Sequence, residues 1–121
     1  MSPEQIVQEQ LDAYNAKDLD RLLRTYADGA EQYVLHGELL ARGQDAIRER
    51  FALRFQEPDL HAELLSRIVA GNIVVDHERI TRNFPEGDGT LEMLCVYEVA
   101  DGRIRKASFA SGAKVLANGG I

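Results

Sequence analysis

The residues best equipped for chemistry lie together in one stretch, Asn72 to Arg82, which reads Asn-Ile-Val-Val-Asp-His-Glu-Arg-Ile-Thr-Arg. It opens as a β-branched apolar run, the signature of a strand. It then turns ionic with Asp76, His77, Glu78 and Arg79. Histidine can move a proton near neutral pH, and arginine can hold a carboxylate or enolate oxygen. Side chains alternate across a strand, so Ile73, Val75, His77, Arg79 and Thr81 share one face. Val74, Asp76, Glu78, Ile80 and Arg82 share the other. Ionisable groups on a strand that begins so apolar need partners or a purpose. Parity with Ile73 and Val75 predicts that His77 and Arg79 point inward, as the acid–base and anchoring residues of a small-molecule pocket. The competing reading is a salt-bridged strand, with Arg79 on a cross-strand acid such as Glu92 or Glu98. Asp76 and Glu78 are then expected on the outer face, in a dimer contact or in solvent.

Other reactive side chains give weaker signals. Asp76-His77-Glu78 is rich in metal ligands, but alternation sends its middle member to the opposite face, and His36 and His61 have no partner at ligand spacing. No metal and no cofactor are expected. Cys95 needs a base to become a nucleophile, and a buried inert thiol fits it as well. Tyr97 offers a hydroxyl on an otherwise apolar face, where it serves either a ligand or the core.

The elements that must carry these residues can be read in order. Ser2-Pro3-Glu4-Gln5 starts a helix with a capping box, and Val7, Leu11 and Tyr14 form its apolar stripe. Asp18 caps a second helix reaching Ala27, with Leu19, Leu22, Leu23 and Tyr26 as its stripe. Asp28-Gly29 reads as a turn, Ala30 to His36 as a strand and Leu39 to Arg42 as a shorter one. A third helix spans Gln44 to Glu57, and Ile47, Phe51 and Phe55 give it an aromatic face. From Asp59 the chain is all strand. Leu60, Ala62, Leu64, Ser66 and Ile68 alternate in the first of these strands, and the ionic stretch follows. A long connection, Asn83 to Gly89, forms either a lid or a simple loop. Leu91, Met93, Cys95, Tyr97 and Val99 then make one apolar face. Asp101-Gly102 turns the chain into Arg103 to Ser111. Three helices followed by four antiparallel strands describe an α+β domain over 1–112, with a loose tail at 113–121.

Bulk properties narrow the partners. With 121 residues the chain makes one domain, burying roughly two-thirds of its unfolded surface. Its net charge of -6 argues against a nucleic-acid partner. The single cysteine excludes an internal disulfide and suits the cytoplasm, and no apolar run is long enough for a membrane span.

The order of elements, together with Gln10-Leu-Asp-Ala-Tyr-Asn-Ala-Lys-Asp-Leu-Asp20, Tyr26-Ala-Asp-Gly-Ala30, the Gly43 to Arg50 segment and the strand Gly102 to Gly112, resembles the NTF2-like superfamily, in its SnoaL-like and ketosteroid-isomerase-like branch. The resemblance covers nearly the whole chain. It implies a conical barrel, in which a curved antiparallel sheet wraps around the helices and encloses a pocket, and a homodimer formed through the outer sheet face, where Leu94 and Val96 lie between Glu92 and Glu98. Laid on this chain, the isomerase tyrosine falls on Gln10, its base on Val34 and its second oxyanion donor on Cys95, so the resemblance does not imply steroid isomerisation. The pocket it implies is walled by Val34, Phe51, Phe55, Met93, Cys95, Tyr97, Phe109 and Ser111. Three functions fit this fold. One is a metal-free acid–base enzyme of isomerase, cyclase, dehydratase or hydrolase type, acting on a hydrophobic or oxygenated metabolite. The others are a non-catalytic small-ligand binder and a dimerisation or protein-interaction module. A collapsed cavity would single out the last.

Overall fold

The computed structural model describes residues 1–118. Helix α1 spans Pro3–Asn15 and α2 Leu19–Arg24; strands β1 (Tyr26–Val34) and β2 (Leu39–Arg42) follow, then α3 (Gly43–Arg54). The second half is β3 (His61–Ala70), β4 (Ile73–Phe84), β5 (Gly87–Ala100), β6 (Arg103–Ser111) and the short β7 (Val115–Leu116). One open sheet in the order β2-β1-β6-β5-β4-β3 runs through the molecule, with β7 added to β5. Its pairs are antiparallel except β1 with β6, which run parallel. The expected α+β architecture, three helices with a curved sheet, is the one observed.

Local chemistry explains most boundaries. The Ser2 hydroxyl accepts from the Gln5 backbone and the Gln5 side chain accepts from Ser2, so the expected capping box starts α1. Asn15 closes α1 by exchanging two hydrogen bonds with the backbone of Ala62, at 2.8 and 2.9 Å, which fastens the helix to β3. The second helix ends at Arg24 because Tyr26 already pairs with Ile104 of β6, and the sheet ladder claims its backbone. Asp28-Gly29 is accordingly an irregularity within β1 and not a turn before it. Asp101-Gly102 turns as expected, both residues having the positive φ of a primed hairpin.

Three sequence readings in the second half are corrected. The connection from Asn83 to Gly89 is neither lid nor long loop: Phe84 pairs with Gly87, leaving Pro85-Glu86 as a two-residue turn. The supposed tail contains β7, whose Val115 and Leu116 pair with Thr90 and Gly89, while residues 119–121 lie outside the described residues. The alternation in β3 holds only as far as Leu64. The register slips between Leu64 and Ser66, so Leu65 is an extra residue in the strand. Beyond that bulge parity reverses: Ile68 stands 68% exposed, and Arg67 turns to the covered face opposite Asp76.

The core lies between the helices and that covered face. Ile6, Val7, Leu22, Leu23 and Ile47 of the helices pack with Val74, Cys95, Tyr97, Val99 and Ile104 of the sheet. A second cluster joins Leu11 to Leu60, Ala62, Ile80, Phe84 and Leu91, and Tyr14, Phe55 and Met93 border both. Among the described residues the one ion pair at this level is Arg67 with Asp76, two parallel hydrogen bonds of 2.6 and 2.9 Å. Asp76 is wholly buried and the Arg67 side chain is 10% exposed. Arg67 also donates to Gln8 of α1 at 2.9 Å. Breaking such a pair leaves an uncompensated buried charge. We expect Arg67→Met to lose roughly 3–5 kcal/mol of unfolding free energy in urea titration. A loss below about 1 kcal/mol would place the pair in the class of exposed ion pairs.

Candidate functional site

The register of the β4–β5 hairpin decides which β4 residues can act. With Phe84 opposite Gly87 and no slip along the ladder, Ile80 pairs with Leu91, Glu78 with Met93 and Asp76 with Cys95. Paired residues share a face. Since Leu91, Cys95, Tyr97 and Val99 face inward as their alternation predicts, so must Val74, Asp76, Glu78 and Ile80. His77 and Arg79 are therefore on the outer face, and the expectation that they enter the pocket is overturned. His77 Nε2 lies 3.1 Å from Glu92, Arg79 lies 3.3 Å from Glu63, and all four side chains are more than a third exposed. They form the salt-bridged strand that was the competing reading, although Arg79 takes its acid from β3. Parity misled because both faces of this strand begin apolar: Val74 is fully buried, while Ile73 and Val75 are half-buried outside.

Between the helices and the inner sheet face lies a cavity of about 630 Å³. Val34, Phe51, Met93, Cys95, Tyr97, Phe109 and Ser111 of the expected set line it. Phe55 does not reach it; its ring packs edge-on against Tyr14, 5.6 Å between centroids, one layer behind the wall. Gln10, Val34 and Cys95, the positions that the isomerase alignment empties of catalytic groups, all open onto the cavity. Glu78, Tyr14, Arg50, Arg54 and Arg82 complete its polar lining.

Glu78 is the group that the sequence reading missed. It is 4% exposed, and burial, reinforced by the negative charge of Asp76, pushes its carboxyl from an ordinary value near 4.5 up to about 7. The Cys95 thiol beside it is a hydrogen-bond partner that offsets part of this rise. Burial and the charge of Glu78 hold that thiol well above its ordinary value, which removes Cys95 as a nucleophile. Tyr97, also buried, donates to Gln10 at 3.3 Å. Tyr14 is kept neutral by burial, and its hydroxyl has no hydrogen-bond partner in the protein among the described residues. It stands ready to donate to an oxygen in the cavity. The site thus holds a carboxyl that gains and loses a proton near neutrality, a neutral phenol, and apolar walls.

The raised value links the site to stability. Between about pH 4.5 and 7 the folded state retains a proton that the unfolded chain releases, so stability falls as pH rises through that window and is level above it. A shift of this size corresponds to about 3 kcal/mol. We expect Glu78→Gln to match the wild type near pH 4.5 and to exceed it by about 3 kcal/mol at pH 8, measured by urea titration at both values. Equal stability of the two proteins at pH 8 would show that the fold imposes no penalty on ionised Glu78.

Comparison with known proteins agrees with this fold. Residues 7–107 match the SnoaL-like domain family. A cystatin-fold protein from Novosphingobium aromaticivorans is similar in structure, with a TM-score of 0.85 at 24% identity over 91% of this chain and 98% of that one. A protein provisionally named a polyketide cyclase from Sinorhizobium meliloti gives 0.71 at 27% identity over 88% and 94%. Another, provisionally named a SnoaL-like polyketide cyclase, from Jannaschia sp. CCS1, gives 0.77 at 18% over 90% and 84%. No curated protein matches the chain.

Proposed function

The chain belongs to the SnoaL-like domain family, and from that premise we propose that it is a small acid–base enzyme acting on an oxygenated, largely apolar metabolite. The observation that carries this reading is Glu78, a nearly buried carboxyl poised near neutral pH on the wall of an open cavity. Ionised Glu78 takes a proton from a carbon next to a substrate carbonyl, the Tyr14 phenol donates a hydrogen bond to the oxygen where charge develops, and the protonated carboxyl returns the proton at another atom. Proton transfer of this kind underlies isomerisation, cyclisation and dehydration alike. Relatives named as cyclases are consistent with it. The open volume also weighs against a protein whose cavity is filled by its own side chains. With its one cysteine buried and unpaired, the proposal places the protein in the cytoplasm.

The test needs no knowledge of the natural substrate. In D₂O, 2-tetralone carries exchangeable protons beside its carbonyl. Wild-type protein is expected to accelerate their exchange, followed by proton NMR, with a rate that rises through about pH 7 as Glu78 ionises. Glu78→Gln should lose on the order of 10²–10⁴ of that acceleration. Saturable binding without acceleration would instead identify a binder.

The same reading includes a homodimer through the outer sheet face. Leu94 is 42% exposed there, Val96 is half-buried beside it, and both continue the apolar strip of Ile73 and Val75. Sedimentation at micromolar concentration should show a dimer that Leu94→Glu converts to monomer without loss of helical circular dichroism. A monomeric wild type would remove this part of the proposal.

A further inference from the structure

The cavity carries charge of both signs. Its lining holds one carboxyl, Glu78, near Cys95, and three arginines. Arg50 and Arg54 come from one face of α3, a turn apart, and Arg82 comes from β4. Among the described residues Glu57 is the one acid that engages them. It takes Arg82 in a fork with both bonds at 2.7 Å and has Arg54 at 3.5 Å. Arg50 has no carboxylate within ion-pairing distance among the described residues; it donates to the amide oxygen of buried Gln32. Among the described residues three guanidinium groups therefore share one carboxylate, in a protein whose net charge is -6.

Positive charge withdrawn from water needs a counter-charge. Desolvation is the leading influence on both Arg50 and Arg54, and it holds each below the ordinary guanidinium value. Neither is compensated in the way Arg67 is by Asp76. The charges that act on Glu78 are those of Asp76 and Arg67, so the cavity arginines are not its partners. The same cavity is also lined by the apolar side chains of Phe51, Met93 and Phe109. An apolar molecule bearing an acid group meets both demands, since guanidinium forks bind carboxylates in charge-assisted pairs.

We infer that Arg50 and Arg54, supported by Arg82, anchor the carboxylate of an apolar organic acid whose ring system lies along Phe51, Met93 and Phe109. This assigns the substrate class of the cavity as aromatic or alicyclic carboxylic acids in preference to neutral ketones. The inference rests on the cavity being the working site, as proposed above, but not on Glu78 being its base.

The experiment uses a matched pair of probes, 2-naphthoate and its neutral isostere 2-naphthamide, titrated calorimetrically into the full chain at low ionic strength and pH 7.5. Naphthoate is expected to bind at least about tenfold more tightly than naphthamide, the scale of a charge-assisted pair. Arg50→Gln should remove most of that preference while leaving naphthamide unchanged. Arg50→Lys should restore part of it. Arg54→Gln is the second variant, since Glu57 keeps its fork with Arg82 and the fold is not left with a stranded acid. Equal affinity of the two probes, a parallel loss of both in Arg50→Gln and Arg54→Gln, or no binding of either at millimolar concentration would each overturn the anchor. Glu78→Gln separates the two claims. Retained naphthoate preference with no exchange in 2-tetralone or in a carboxylated 2-tetralone overturns the catalytic reading alone; exchange that depends on Glu78 with no preference overturns the anchor alone.

Discussion

The buried fork between Arg67 and Asp76 is the constraint on which the rest of this structure depends. Asp76 has no exposure to solvent, and an isolated carboxylate there would be far too costly to keep ionised. Arg67 reaches it only because Leu65 is an extra residue in β3, which turns the following side chain to the covered face. The same guanidinium holds Gln8, so it also sets the position of α1, the helix that brings Gln10, Leu11 and Tyr14 to the cavity. Two residues beyond Asp76 on the same face sits Glu78. Burial, and after it a paired neighbour of like charge, raise its proton affinity without forcing either acid out of the core. One bulge thus orders a strand register, a helix position and the environment of the candidate base.

The molecule treats its charged pairs in two quite different ways. The outer pairs, His77 with Glu92 and Arg79 with Glu63, lie in solvent, where such contacts contribute little. Inside, Glu78 is held where its ionised form is disfavoured, and three arginines share a single acid. Packing around them is not slack: Tyr14, Phe51 and Phe55 interlock at centroid distances of 5.6 to 6.0 Å. Well-packed aromatic residues and a compensated ion pair provide the stability against which uncompensated groups can be carried. The pattern of strain confined to a cavity is what a site for chemistry would show.

Much of this could be read from the residues. The capping box, the primed turn at Asp101-Gly102 and the inward face of β5 follow from rules that act over a few neighbouring positions. What could not be read was parity in β4, because both of its faces begin apolar and the deciding fact lay in the hairpin. Had Pro85-Glu86 been recognised as a two-residue turn, pairing Phe84 with Gly87 would have placed Glu78 beside Met93 and put His77 outside. The loop composition, with two glycines and a proline, hid that register. The bulge at Leu65 left no mark either, since Leu64 and Leu65 satisfy either parity. Gln10 and Gln32 are polar side chains in the core whose partners, Tyr97 and Arg50, come from distant elements, and only tertiary structure joins them.

The parallel pairing of β1 with β6 has a consequence for how the protein is made. Tyr26 finds its partner in Ile104, so the first strand of the sheet waits for nearly the last. While the chain emerges from the ribosome, β1 has only the short β2 to pair with, and the edge that β6 will cover stays open. Contacts so distant in sequence slow the closing step and lengthen the life of a half-built sheet. The charged residues along β1 and β2, among them the exposed pair of Glu31 with Arg42, then guard an unpaired edge during synthesis. An ion pair of small worth in the finished fold would have its main value in those seconds, while the β6 side of β1 is still unpaired.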